Sequence, residues 1–146
     1  VLREARRDDI KRIVEMLSDD ALASGREKLG GDMKAYEKAF DAIASDANNT
    51  LYVWDEEGVV GCLQLTFIPG MSYQGSWIAQ VEGVRVDRSM RGEGIGEEMM
   101  KVVISKSRER GCEHLQLMTN KRRTDAHRFY ERLGFIMSHE GMKLKL

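Results

Sequence analysis

Residues 91–96, Arg-Gly-Glu-Gly-Ile-Gly, stand between a strand-patterned segment and a helix-patterned one, and no other stretch restricts the architecture as tightly. The strand pattern covers residues 77–86. The helix pattern covers residues 94–110, with Ile95, Met99, Val102 and Val103 on one stripe and Gly111 as its stop. Glycines let a backbone turn its N–H groups toward a ligand at close range. The helix that follows adds the positive end of its dipole. Together these predict an anion site suited to a pyrophosphate, formed by Arg91, Gly92, Glu93, Gly94, Ile95 and Gly96. A glycine-rich helix entry that holds no ligand has the same pattern. No Lys-Ser/Thr pair follows Gly96, so the segment is not a P-loop. It also comes late in the chain, whereas a Rossmann fingerprint opens a βαβ unit.

The flanking sequence predicts a mixed α/β domain spanning residues 1–146. Residues 2–5 read as a first strand. Asp8 is placed to cap a helix with Ile10, Ile13, Val14 and Leu17 on one face, and Asp32 to cap a second with Met33, Tyr36, Phe40 and Ile43. Residues 51–54 and 59–68 read as strands joined by the turn Asp55-Glu56-Glu57-Gly58, and residues 69–76 as a loop. Residues 114–118 form a further strand. A last helix carries Ala126, Phe129, Tyr130 and Leu133 and ends at Gly134. Residues 135–138 and 142–146 have the pattern of a final hairpin.

Composition narrows the function classes. A net charge of −1 and a pI near 6.4 argue against a general nucleic-acid binder. No apolar run reaches the length of a membrane span, and the charged start Val1-Leu2-Arg3-Glu4-Ala5-Arg6-Arg7 lacks a signal-peptide core, so a cytoplasmic location is expected. Cys62 and Cys112 each sit in an apolar segment, which suits a reducing compartment. His114, His127 and His139 have no metal-ligand spacing.

Two segments carry a family resemblance. Arg91-Gly92-Glu93-Gly94-Ile95-Gly96, after a strand ending Val84-Arg85-Val86-Asp87, resembles the acetyl-CoA signature of the GCN5-related N-acetyltransferase (GNAT) superfamily. Ala126-His127-Arg128-Phe129-Tyr130-Glu131-Arg132-Leu133-Gly134-Phe135 is similar to that superfamily's second signature. The resemblance covers essentially the whole chain. It implies a mixed, mostly antiparallel sheet of about six to seven strands flanked by about four helices, with acetyl-CoA as co-substrate and a small-molecule amine as acceptor. A homodimer is compatible with it.

Acetyl transfer from a thioester needs a neutral amine, a stabilised oxyanion and a tolerable thiolate. A Lys-like amine with a pKa of about 10.4 costs roughly 4.6 kcal/mol to neutralise at pH 7. A carboxylate relieves part of that cost. Strand alternation places Gln80, Glu82, Val84 and Val86 on one face. The resemblance often puts a Glu at the position of Glu82, and Val81-Glu82-Gly83 looks like the corresponding strand of aminoglycoside 6′-N-acetyltransferases. Glu82 is thus either the base or a residue that holds the acceptor or the fold. Gln80, an amide, cannot serve as base. The resemblance implies that the N–H of Val84 meets the oxyanion, that the N–H of Val86 holds the pantetheine arm, and that Tyr130 lies beside the thioester sulfur. A core aromatic is the plain alternative for Tyr130. The superfamily's Asn before the second signature is replaced by Arg123, with Asn120 farther upstream, so a cofactor contact for Asn120 and Phe129 follows from the resemblance alone.

Residues 119–130, with Ser138-His139, are similar to aminoalkylphosphonate N-acetyltransferases, which implies a small primary amine as acceptor. Residues 18–31 and 69–76 are expected to wall its pocket. A protein N-terminus or Lys is the competing acceptor. A non-catalytic acyl-CoA-binding or regulatory domain is the competing class.

Overall fold

Short turns fold neighbouring apolar segments onto one another. Asp55 accepts from the Gly58 N–H at 2.9 Å, and Glu57 and Gly58 take positive φ, which closes a tight hairpin. It joins β2 (Asn49–Asp55) to β3 (Val59–Ile68). The computed structural model describes residues 1–20, 25–28 and 30–146, in two compact units, Val1–Gln116 and Leu117–Leu146.

In the first unit the sheet order is β1-β2-β3-β4-β5, with β1 at Leu2–Glu4, β4 at Ile78–Val86 and β5 at Leu115–Gln116. All neighbours are antiparallel except β4 and β5. That parallel pair needs a crossover, supplied by α4 (Ile95–Glu109). α1 (Ile10–Ser18) brings Ile13 and Met16 onto Val53 and Cys62. α4 packs on β3 and β4, where Met99, Met100 and Val103 are buried along with Leu63, Leu65 and Val81. α2 (Lys34–Ala44) covers β2 with a half-buried face. Asp9, rather than the expected Asp8, organises the entry to α1: its carboxylate accepts from the Arg6 N–H at 2.7 Å and from Arg3 at 2.8 Å. Asp32 meets its expectation in part, accepting from the Lys34 N–H at 2.9 Å.

The loop expected over residues 69–76 contains one helical turn, α3 (Ser72–Gly75). Tyr73 (φ 55, ψ 41) and Gln74 (φ 61, ψ 39) are left-handed there, a conformation that costs a non-glycine residue roughly 1–2 kcal/mol.

The second unit holds α5 (Thr124–Arg132). Gly134, at φ 99, follows it, and the Phe135 N–H returns to the Tyr130 carbonyl at 3.0 Å. Here the strand expectation fails. Residues 135–138 and 142–146 form no strand, so among the described residues the sheet has five strands instead of six to seven, and the two units together hold five α-helices. The alternation Met142, Leu144, Leu146 against Lys143, Lys145 is strand-like, yet all three apolar side chains are exposed. A period of two specifies a face and leaves the partner unspecified.

Several carboxylates in the first unit are held below the usual range, Asp9, Asp55 and Asp87 among them. For Asp9 the main cause is its hydrogen bond from Arg3, for Asp55 the Gly58 N–H and then Arg3, and for Asp87 the Ser89 hydroxyl and then Arg12. A carboxylate more acidic in the folded chain than in the unfolded one stabilises the fold above its unfolded pKa of about 4 and loses that effect as pH falls toward its folded pKa. Urea midpoints are therefore expected to hold from pH 7 to about pH 5 and then to fall. Arg3→Met, weaker overall, should show a shallower acid decline. A midpoint that rises on acidification would contradict this account.

Candidate functional site

β4 gathers the residues singled out in the first unit. Its ladder with β3 runs from Ile78–Ile68 to Glu82–Gln64 and resumes at Arg85–Cys62. Gly83 and Val84 therefore face the single residue Leu63, which makes a β-bulge. Gly83 has φ 61, and a Cβ built on it would meet Leu17 Cδ2 only at 3.7 Å. Backbone conformation, rather than space, calls for glycine there.

The bulge corrects the expected alternation. Cross-strand partners share a face, so Glu82 (opposite Gln64) and Arg85 (opposite Cys62) lie on the side of α1. Val86 pairs with Gly61 on the other side, where a Cβ at Gly61 would come within 2.9 Å of Met99 Sδ. Glu82 and Val86 thus occupy opposite faces. Gly83 also offers its carbonyl to the Cys62 thiol at 3.6 Å.

On its other edge β4 pairs with β5 at Ala79–Leu115 and Gln80–Gln116. From Val81 onward that edge has no strand partner among the described residues. Glu82 is exposed and accepts from Gln80 Nε2 at 2.7 Å.

After Val86 the chain turns through a 3₁₀ segment, Arg88–Met90, capped by Asp87, which accepts from the Ser89 N–H at 2.9 Å. Asp87 also pairs with Arg12, whose Nε donates to the Val59 carbonyl at 2.9 Å. Asp19, at the end of α1, pairs with Arg88 at 2.6 Å and Arg91 at 4.0 Å. Arg91 Nε reaches the Val86 carbonyl at 3.3 Å. The loop is thus anchored at its base, while Gly92, Glu93 and Gly94 are exposed. Gly92 (φ 85) and Gly94 (φ 82) are left-handed, with open space where a Cβ would stand. Ile95 is buried and seats the first turn of α4, next to Gly96. Glu97 and Glu98 in that turn are both paired with Lys101.

The remaining candidates lie in the second unit. Tyr130 makes edge contacts with Phe129 (5.1 Å between centroids) and Phe135 (5.7 Å). The Asn120 side chain accepts from the Arg122 N–H at 2.9 Å, and its carbonyl faces His127 Nε2 at 3.0 Å. Asn120 thereby shapes the turn before α5. Of the expected acceptor wall at residues 18–31, residues 21–24 and 29 lie outside the described residues. Tyr36 holds part of the rest, its hydroxyl meeting Glu27 at 3.1 Å and the Lys28 N–H at 2.8 Å.

Sequence reasoning missed Asp19 and Arg12 as anchors of the loop, Gln116 as the partner of Gln80, and His114 as the partner of Gln116. Only the alternation Gln80, Glu82 signalled any of this. Among the described residues no three His, Cys, Asp or Glu side chains group to hold a metal, and no helix is long and apolar enough to cross a membrane.

The model of the acetyltransferase (GNAT) family matches residues 10–135. The chain belongs to that family. By class it is an N-acetyltransferase, and the family's enzymes draw on acetyl-CoA. Among its relatives, an aminoalkylphosphonate N-acetyltransferase of Salmonella typhimurium is 33% identical over 109 residues, 74% of this chain and 70% of the relative. A glucosamine 6-phosphate N-acetyltransferase of Trypanosoma brucei brucei is 32% identical over 88 residues, 60% of this chain and 58% of the relative. A solved structure described as a transcriptional regulator from Bacillus halodurans C-125 is 46% identical, with a TM-score of 0.94 over 100% of this chain and 99% of that one.

The bulge can be tested without any ligand. Gly83→Val forces a branched side chain into left-handed backbone and is expected to cost about 1–3 kcal/mol, whereas Gly83→Asn, which tolerates that region, should cost clearly less. Urea denaturation of both variants measures this, and equal losses would argue that φ is not what the position requires.

Proposed function

We propose that this chain transfers the acetyl group of acetyl-CoA to a primary amine of a small molecule, by direct attack of the amine on the thioester, within one catalytic domain spanning residues 1–146. The observation that carries the reading is the end of the β4–β5 ladder at Gln80, with Glu82 just beyond it and the glycine loop at the far end of the same strand.

On this reading the edge of β4 past Gln80 supplies the donors. Val84 N–H meets the developing oxyanion, and Val86 N–H holds the pantetheine arm. The segment Arg91, Gly92, Glu93, Gly94, Ile95 and Gly96, exposed from Arg91 to Gly94, takes the pyrophosphate, since backbone N–H groups at a helix start favour anions. Asn120 and Phe129 are assigned cofactor contacts by the family resemblance alone. Glu82, on the α1 side, accepts the amine's proton directly or through water. Tyr130 donates to the departing thiolate. A phenol of pKa about 10 cannot fully protonate a thiolate of pKa about 8.5, so the hydrogen bond is the contribution and the proton comes from the amine.

Direct attack is favoured by the state of Cys62. It faces the same side as Glu82, but burial pushes its thiol up to about 12. Burial therefore keeps it protonated at pH 7, which leaves it inert as an acyl carrier. Both cysteines are free, in keeping with a cytoplasmic setting.

The acceptor is drawn from the relatives. Two of them are named for amines that carry a phosphonate or a phosphate, and we extend to this chain a small amine bearing an anion. The 46% identical structure described as a transcriptional regulator favours a second reading, an acyl-CoA-responsive regulatory domain. Release of free thiol from acetyl-CoA in the presence of an amine panel separates them, since a purely regulatory domain releases none above background.

Two variants test the parts. Gly94→Val is expected to weaken acetyl-CoA binding at least about tenfold by displacing the loop backbone, with the fold retained. Unchanged affinity by calorimetry would move the phosphates elsewhere. Glu82→Gln is expected to lower kcat about 10²- to 10⁴-fold at pH 7. The deficit should shrink as pH approaches the amine's own pKa, where solvent supplies the neutral form. A wild-type kcat at pH 7 would remove Glu82 as the base, and a raised KM with kcat intact would make it an acceptor-binding residue.

A further inference from the structure

Glu82 is the end of a side-chain chain that crosses from β4 to β5. Gln80 Nε2 donates to Glu82 Oε1 at 2.7 Å. Gln116 Nε2 donates to Gln80 Oε1 at 2.9 Å, across the in-register pair of the parallel ladder. Gln116 Oε1 faces His114 Nε2 at 3.3 Å, and His114 Nδ1 faces the Glu113 carboxylate in a short contact. The Tyr73 ring stands edge-on to the imidazole at 5.2 Å and 74°, presented by the left-handed turn of α3.

Such a chain has a direction. A carboxylate only accepts, so Gln80 must turn its NH₂ to Glu82 and its carbonyl to Gln116. Gln116 must then turn its NH₂ to Gln80 and its carbonyl to His114. The imidazole is left between two acceptors, Gln116 Oε1 and Glu113, and satisfies both only when each ring nitrogen carries a proton. When Nε2 has no proton it accepts instead. Gln116 then gains by reversing, Gln80 reverses in turn, and the Gln80 carbonyl is brought against the Glu82 carboxylate. Two acceptors in contact repel, so Glu82 has to leave this position.

We propose that His114, through the carboxamides of Gln116 and Gln80, fixes the orientation of the Glu82 carboxylate, and that the protonation of the imidazole selects the direction of the amide chain. His114, Gln116 and Gln80 are positioning residues, and the inference rests on the reading of Glu82 as the base. The ionisable groups of the chain are Glu82, His114 and Glu113, and Tyr73 packs on the ring. The arrangement ties the proposed base to the turn of α3.

The experiment is a double-mutant cycle on the full chain, with kcat, amine KM and acetyl-CoA affinity measured for His114→Ala, Glu82→Gln and the pair, and Gln80→Leu as a second route to the same break. His114→Ala and Gln80→Leu should each lower kcat about three- to thirtyfold with acetyl-CoA affinity unchanged, and His114→Ala should add nothing once Glu82 is Gln. Losses that multiply in the pair, or a wild-type kcat for His114→Ala, overturn the positioning role and leave Glu82 as base. A wild-type kcat for Glu82→Gln overturns the base reading itself, and the positioning role with it. A readout free of activity accompanies the cycle. The Gln80 side-chain amide resonances should shift in step with the His114 ring signals during a pH titration, and Gln116→Leu should abolish that shift. Gln80 signals indifferent to His114 in the wild-type chain overturn the proposal.

Discussion

The bulge at Gly83 and Val84 governs what the rest of β4 can do. Without it, strand alternation would carry the face of Glu82 through to Val86. With it, the face reverses once. Glu82 and Arg85 point to the α1 side, and Val86 takes the α4 side against Gly61. One strand thereby serves two surfaces, a polar one around Glu82 and an apolar one under α4. The bulge depends on left-handed backbone at Gly83, and the neighbouring Gly83 carbonyl takes the Cys62 thiol, so core and bulge are built from the same few atoms.

The same economy holds the glycine loop. Asp87 ends β4, caps the 3₁₀ turn and pairs with Arg12, while Asp19 collects Arg88 and Arg91. α1 is thus a packing helix at its middle and an electrostatic clamp along one side and at its end. Single ion pairs of this exposure contribute little stability each. Their consequence is geometric: they fix where the loop leaves the sheet and leave Gly92–Gly94 open at the start of α4.

The sequence made some of this readable and some not, for physical reasons. The glycine loop was legible because left-handed backbone beside a helix start demands glycine locally, and Gly92 and Gly94 have that backbone. The order of elements was legible because periods of two and 3.6 are local properties. The faces of β4 were not, since Gly83 reads equally as an ordinary strand residue and its bulge is defined only against Leu63 on β3. The final hairpin was misread for a related reason. Met142, Leu144 and Leu146 alternate as a strand would, but the ladder partner that makes a strand is a fact about another segment.

The least legible part is the surface around Glu82, because non-local pairs make it. Gln80 looked dismissible as an amide that cannot take a proton. Its value comes from having a donor at one end and an acceptor at the other, which matters only once Gln116 is known to lie in register with it. His114 looked like a lone histidine without ligand spacing, and becomes informative only between Gln116 and Glu113, beneath Tyr73. On the proposed function, specificity for the amine resides in this surface. Motifs bind the common donor, whose shape never changes, with local backbone. On the proposed function, an acceptor that differs between relatives is met by side chains brought together from β4, β5 and α3, and no single stretch of sequence records such a meeting.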